Sequence, residues 1–388
     1  NMFNEEYFHS KRWFKGKQRK ISKIQTKDFF ALSGNTLYLI AVSFENEETD
    51  LYAVTNYSTN INDLIFSLFN FNNDKKIFKG SFGELLVKRF DNFDSNELKK
   101  LTSLNNEQSN SAFIAHGKFF FKLFRRLSPG IHPEEEILLH FKENNFTHSP
   151  NILGTLTYYD GNASYSIGIL ESAIKNACSA WDYFQGNFSE EQAALMGKRT
   201  AEMHKALAEL PGENISEIEV PFQKLETLLK QETEKKYVQE LLKKLPELEK
   251  KYYSLKQEKS VLPCQRIHGD FHLGQILYNK ENFWIIDFEG EPSREITYRR
   301  SKQSVAVDIA GMLRSFQYAK AMFNKDTTSA EQAFLEEYAK YSGINKQELQ
   351  NECKAYCLAK AIYEACYELE FRPDWFFVPA TALLKHFL

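Results

Sequence analysis

The chain has 388 residues, with 49 Lys and Arg against 52 Asp and Glu, a formal charge of −3. That near-balance gives no net field to attract nucleic acid or an anionic membrane. A hydrophobic content of 43% beside 26% charged residues excludes wholesale disorder. No apolar run approaches the ~18 residues of a membrane span, and Lys11, Arg12 and Lys15 interrupt any signal-peptide core. Asn1 before Met2 reads as the remnant of a cleaved tag. The expectation is a soluble, cytoplasmic protein of two or three domains, with neither a nucleic-acid nor a membrane partner. Five cysteines without a C-x-x-C pair point to free thiols rather than to a disulfide framework or a zinc site.

Residues 1–95 read as short strands: 36–44 and 51–57 are apolar, β-rich runs around an acidic turn, and 75–90 is similar. The basic stretch 15–20 reads as a solvated loop. A second β-rich block contains a tight hairpin, 111–115 and 118–124, turning at His116-Gly117. After Pro129, Gly130 and Pro133 the spacing becomes helical over 134–141, and 151–156 and 165–170 read as two more strands. From about Ala173 the chain is helical. Ser189 and Gln192 form a capping box for 189–210, and 214–260 predicts a charged helical hairpin broken near Pro246. The last segment, 330–388, is helical apart from a break at Arg372-Pro-Asp-Trp375. The pattern is α+β: a β-rich N-terminal cap (1–95), a β-rich lobe with one helix (96–172) and a helical lobe (173–388).

The strongest chemical signal is His268-Gly-Asp-Phe-His-Leu-Gly-Gln275, followed by an apolar run and Phe283-Trp-Ile-Ile-Asp-Phe-Glu-Gly290. Phosphoryl transfer requires a base or orienter for the acceptor hydroxyl and ligands for magnesium at the triphosphate. Protein kinases supply them as H-R-D-x-x-x-x-N and D-F-G. Here Asp270 takes the first role, and Gln275 and Asp287 are the metal candidates. Two short strands between the motifs would form a hairpin that gathers all three. Lys122 lies on the hairpin face opposite Phe119, Phe121 and Leu123, where a strand Lys reaches the α/β-phosphates. Glu136 is the natural helix carboxylate to brace it, with Glu134 and Glu135 as alternatives. In place of a Gly-rich loop, Gln108, Ser109 and Asn110 offer polar groups for phosphates or else form a simple turn. His268 is expected to hydrogen-bond backbone near Asp287, and His204 to be a helix-face residue.

Together with Arg12-Trp-Phe14, Glu107–Asn110, Phe121–Leu127, Arg199–His204, Asp287–Pro292, Asp308–Phe316 and Tyr363–Trp375, these motifs make the chain resemble the bacterial maltokinases. Those enzymes belong with the aminoglycoside-phosphotransferase-like, protein-kinase-like superfamily. The resemblance implies a two-lobe eukaryotic-protein-kinase-like fold with an additional N-terminal cap, using ATP and Mg2+ to make maltose 1-phosphate for α-glucan synthesis. It implies a hinge near Leu170-Glu171-Ser172, with Glu171 beside the nucleotide, and trehalose synthase as a partner. The region from the hinge to Trp181 departs from the acidic, Gly-rich character of the family.

A sugar site needs planar hydrogen-bonding groups and an aromatic platform. Tyr363, Glu364, Tyr367, Glu368, Arg372, Asp374 and Trp375 supply both, with His272 and Arg294 as further candidates. Spacing alone fits a core helix with packed Tyr and solvated Glu equally well; the resemblance adds the acceptor reading. The alternative function keeps the fold and changes the acceptor to another sugar or amino sugar such as glucosamine. A non-catalytic binding module is disfavoured, because Lys122, Glu136, Asp270, Gln275 and Asp287 are all present.

Overall fold

The β-rich first third of the sequence is realised in two sheets. The computed structural model describes residues 2–56, 60–104, 110–215, 219–232, 236–257 and 260–387. It divides into two units, Asn1–Asn176 and Ala177–Leu388.

The first unit opens with α1 (Glu5–His9), β1 (Ile21–Leu32), β2 (Asn35–Phe44) and β3 (Thr49–Thr55). Phe8, Trp13, Phe14 and Tyr52 pack with Ile40, Val42 and Val54 into a core on this sheet, so Trp13 and Phe14 are structural. There follow α2 (Ile61–Phe69), β4 (Lys75–Lys79), β5 (Glu84–Arg89), β6 (Thr102–Ser103), β7 (Asn110–Ala115), β8 (Phe119–Phe124), β9 (Arg126–Leu127), α3 (Pro133–Glu143), β10 (Ile152–Tyr159) and β11 (Ser164–Ser172). The four-stranded sheet runs β1-β2-β3-β9 and the seven-stranded one β4-β5-β10-β11-β8-β7-β6. A domain boundary after residue 95 therefore cuts this second sheet. The β4–β5 hairpin bonds onto β10 and buries Leu85 and Val87 there, which an isolated hairpin would leave uncovered.

The second unit begins with β12 (Cys178–Ser179), α4 (Ala180–Phe184), α5 (Glu190–Leu207), α6 (Phe222–Gln231) and α7 (Val238–Lys256). The Ser189–Gln192 capping box is formed at the start of α5. Contrary to expectation, α7 runs unbroken through Pro246. Its buried Leu241, Leu245, Leu248 and Tyr252 lie on both sides of the proline in one core cluster, and that packing outweighs the ~3 kcal/mol cost of an interior proline. Next come β13 (Cys264–Gln265), β14 (Ile276–Tyr278), β15 (Phe283–Ile285), α8 (Ile296–Arg299), β16 (Gln303–Ser304), α9 (Ala306–Phe323), α10 (Thr328–Ser342), α11 (Lys346–Phe371) and α12 (Phe377–Lys385). Close packing of α5 on α10 requires Gly197, where a Cβ would come within 2.3 Å of the Phe334 carbonyl oxygen. Among the described residues no helix is long and apolar enough to cross a membrane.

Candidate active site

In the second unit, the segment His268–Gln275 crosses from β13 to β14, and the β14–β15 hairpin returns the chain to Asp287. Gly269 has φ +86°, a left-handed conformation that costs a side chain ~1–2 kcal/mol. A Cβ on it would also lie 3.3 Å from the Cα of Gly290. The loop hangs on one buried carboxylate. Asp308, in the first turn of α9, accepts from the backbone amides of His268 (2.8 Å) and Gly269 (2.9 Å). These bonds and His204 hold its pKa down despite burial. His268 accepts from the Asp270 amide at Nδ1, so its Nε2–H donates to the Ile286 carbonyl at 2.9 Å. That ties the loop to the residue before Asp287, as expected of His268. Burial holds His268 and His272 below the usual imidazole range, the latter at about 4.

Asp270 and Asp287 lie close enough to repel, and Gln275 Nε2 donates to Asp287 Oδ2 at 2.8 Å. The structure thus brings together the three residues that the motifs single out. Desolvation lifts the Asp270 carboxyl to about 6, Asp287 and Glu291 add to the rise, and Lys360 on α11 opposes it. Asp287 itself sits at φ 65°, a conformation that a non-glycine residue keeps only where its surroundings enforce it. Among the described residues no cluster of three or more His, Cys, Asp or Glu could hold a metal unaided. A carboxylate and an amide oxygen nevertheless suit Mg2+, which keeps several waters and takes the rest of its shell from phosphates.

In the first unit, Lys122 on β8 donates to both carboxylate oxygens of Glu134, at 2.8 and 2.7 Å, with both side chains buried. The brace is therefore Glu134 rather than Glu136. Glu134 shares the buried helix face of Ile137, Leu138 and Phe141, whereas Glu136 is turned about 200° from it. Glu135 is also buried, and desolvation pushes its carboxyl to about 7. Glu171 is buried on β11 opposite Phe120 of β8. Asn110 starts β7 opposite Phe124, while Gln108 and Ser109 lie outside the described residues.

The acceptor candidates separate into two groups. Tyr363 hydrogen-bonds Glu291, which also binds Ser293 and Arg294, so Tyr363 and Arg294 border the field acting on Asp270. His272 caps the turn before Gln275, accepting from the Gly274 amide. The second group is engaged elsewhere. Glu364 forms a paired contact with the buried Arg314. Glu368, which is 1% exposed, accepts from Tyr318 and twice from Arg372. Arg372 in turn lies over the Tyr367 and Trp375 rings, at 5.2 and 4.6 Å from their centroids. Asp374 is exposed on the turn after α11. The expected Trp375 platform thus carries an arginine. Sequence reasoning missed Lys360, Glu291 and the anchoring role of Asp308, whose partners are distant along the chain.

The sequence profile of the phosphotransferase enzyme family (APH) matches residues 100–336. A glucosamine kinase of Streptacidiphilus jiangxiensis is 23% identical over 284 residues, 65% of this chain and 64% of that protein. A second glucosamine kinase, from Mycolicibacterium smegmatis (strain ATCC 700084 / mc(2)155), is 26% identical over 136 residues, 31% of this chain and 34% of that protein. The chain thus aligns with less than two thirds of the length of these curated relatives. A solved glucosamine kinase in complex with glucosamine, ADP and inorganic phosphate has a TM-score of 0.69 at 18% identity, covering 93% of each chain. A further crystal form of glucosamine kinase gives 0.71 at 18% identity, over 95% of this chain and 94% of that one. At such identity the likeness shows the fold alone: kinase-like α+β, with a β-rich N-terminal region and a helical C-terminal part.

Proposed function

The chain belongs to the phosphotransferase enzyme family, and from that premise we propose that it transfers the γ-phosphoryl group of ATP to a hydroxyl of an amino sugar of the glucosamine type. The observation that carries the chemistry is the grouping of Asp270 with the Gln275–Asp287 pair on a loop anchored by Asp308. In this reading Asp270 accepts the hydrogen bond, and in the transition state the proton, of the acceptor hydroxyl. Gln275 and Asp287 would hold Mg2+, which would supply charge neutralisation at the phosphates of the nucleotide. Lys122, oriented by Glu134, binds the α/β-phosphates, and Asn110 and Glu171 lie on the strands that flank it. Because such a transition state has little bond formation to the nucleophile, alignment and charge stabilisation supply most of the acceleration.

Two observations favour an amino sugar over maltose. The named relatives are glucosamine kinases. In addition, Asp270, Asp287 and Glu291 concentrate negative charge against Lys360 and Arg294, a balance that suits an acceptor carrying an ammonium group. Maltose and an association with trehalose synthase rest on the maltokinase resemblance alone. The test is kcat/KM for glucosamine and for maltose at saturating ATP and Mg2+, read by ADP release. The proposal expects glucosamine to be preferred by at least about a hundredfold, an ordinary range for sites built on polar recognition. Preference for maltose would overturn the acceptor, and ADP release with neither sugar would overturn the reaction.

A further inference from the structure

The anchor of the catalytic loop is itself held from behind. His204 on α5 places Nε2 2.9 Å from Asp308 Oδ2, and its Nδ1 lies 2.7 Å from the Tyr338 hydroxyl on α10. All three residues are at least 97% buried. The backbone carbonyl of His204 also accepts from Gln265 Nε2 at 2.6 Å, on the strand that leads into the loop. His204 therefore grips the loop at two points, through Asp308 and through β13.

The protons in this chain are fixed by its ends. Asp308, which accepts three hydrogen bonds, is an acceptor only, so His204 Nε2 carries a proton. Burial and the neighbouring Asp308 keep the Tyr338 hydroxyl protonated. Its bond to Nδ1 is best satisfied with Tyr338 as donor and Nδ1 bare. α5 and α10 pack closely here: a Cβ on Gly197 would lie 2.3 Å from the Phe334 carbonyl oxygen.

We infer that Tyr338 is a positioning residue for phosphoryl transfer: its hydroxyl fixes the His204 ring, which fixes the Asp308 carboxylate and hence the backbone that carries Asp270. The inference rests on the proposed phosphoryl transfer for its kinetic readout only. Tyr338→Phe keeps the ring volume and removes one hydrogen bond. It should lower kcat about three- to tenfold while KM for ATP stays within about twofold. Exchange of the Gly269 amide, followed by NMR, should quicken by a similar factor. His204→Leu should lower kcat about a hundredfold, and His204→Gln, whose amide can still donate to Asp308, should recover most of that loss. A residue that served only to fill space would give two His204 variants of equal activity. Long-range 15N–1H correlation spectra of the labelled full chain provide a readout independent of turnover, and should show His204 protonated at Nε2 and bare at Nδ1. Wild-type kcat and wild-type Gly269 exchange in Tyr338→Phe would overturn the inference, as would a His204 ring protonated at Nδ1 alone. If the wild-type protein transferred phosphate to no sugar, the functional reading would fall, and the exchange and 15N results would still decide this one.

Discussion

Asp270 works from a backbone that its own side chain does nothing to secure. The two amides before it are held by Asp308, and its carboxyl is left in a desolvated, negatively charged setting that lifts it to about 6. The sign of the pH effect follows. A carboxyl raised to about 6 is protonated below that pH and cannot accept the hydroxyl proton, so kcat should fall on the acid side with a limb near 6. His272, which burial holds at about 4, adds no limb of its own in that region. Lys360→Met removes the charge that opposes the rise, so the acid limb should move to higher pH. A limb unchanged in that variant would detach it from Asp270. Asp270→Asn keeps the shape of the side chain and loses the acceptor. It should bind ATP nearly normally, by calorimetric titration, and lose about two to four powers of ten in rate. At this scale the sequence was most legible where two neighbouring motifs carry the residues, as for Asp270, Gln275 and Asp287, which the fold brings together. It was least legible where a buried group acts on a distant backbone, because nothing local to Asp308 or Lys360 marks what each faces.

The pairing of β8 with α3 makes a prediction that separates neighbouring carboxylates. Glu134→Gln removes the buried carboxylate 2.7 Å from the Lys122 ammonium, and KM for ATP should rise roughly tenfold, with a lowered Tm. Glu136→Gln should change neither beyond about twofold. The reverse ranking, measured by steady-state kinetics and calorimetric melting, would restore Glu136 as the brace. The correct residue was available in the sequence, since Glu134 precedes Ile137, Leu138 and Phe141 by three, four and seven positions, the spacing of one helix face. The hairpins β7–β8 and β14–β15 were legible for a similar reason, as alternation and turn residues act over a few positions. The continuity of α7 was not: a local rule about proline was overridden by a core cluster drawn from α6, α7, α11 and α12. Nor was the membership of β4 and β5 in the larger sheet, because strand order depends on partners far along the chain.

At the scale of the whole molecule, each unit carries residues that the proposed reaction uses: the Lys122–Glu134 pair in the first, and Asp270 with the Gln275–Asp287 pair in the second. Chain order and motif spacing, together with the maltokinase resemblance, anticipated this kinase-like α+β fold. They were not enough to anticipate the acceptor, because Glu364, Glu368 and Arg372 have the residue types of a sugar site and are committed to internal ion pairs. In the proposed reading the acceptor meets groups such as Glu291, Tyr363 and Lys360, which come together only after folding. The central claim is most directly tested by 31P NMR of the protein incubated with ATP, Mg2+ and either glucosamine or maltose. The account predicts a new sugar phosphomonoester resonance with glucosamine, matched by ADP, and its loss in Asp270→Asn. A phosphoester formed on maltose and not on glucosamine, or one formed on glucosamine at an undiminished rate by Asp270→Asn, would contradict it.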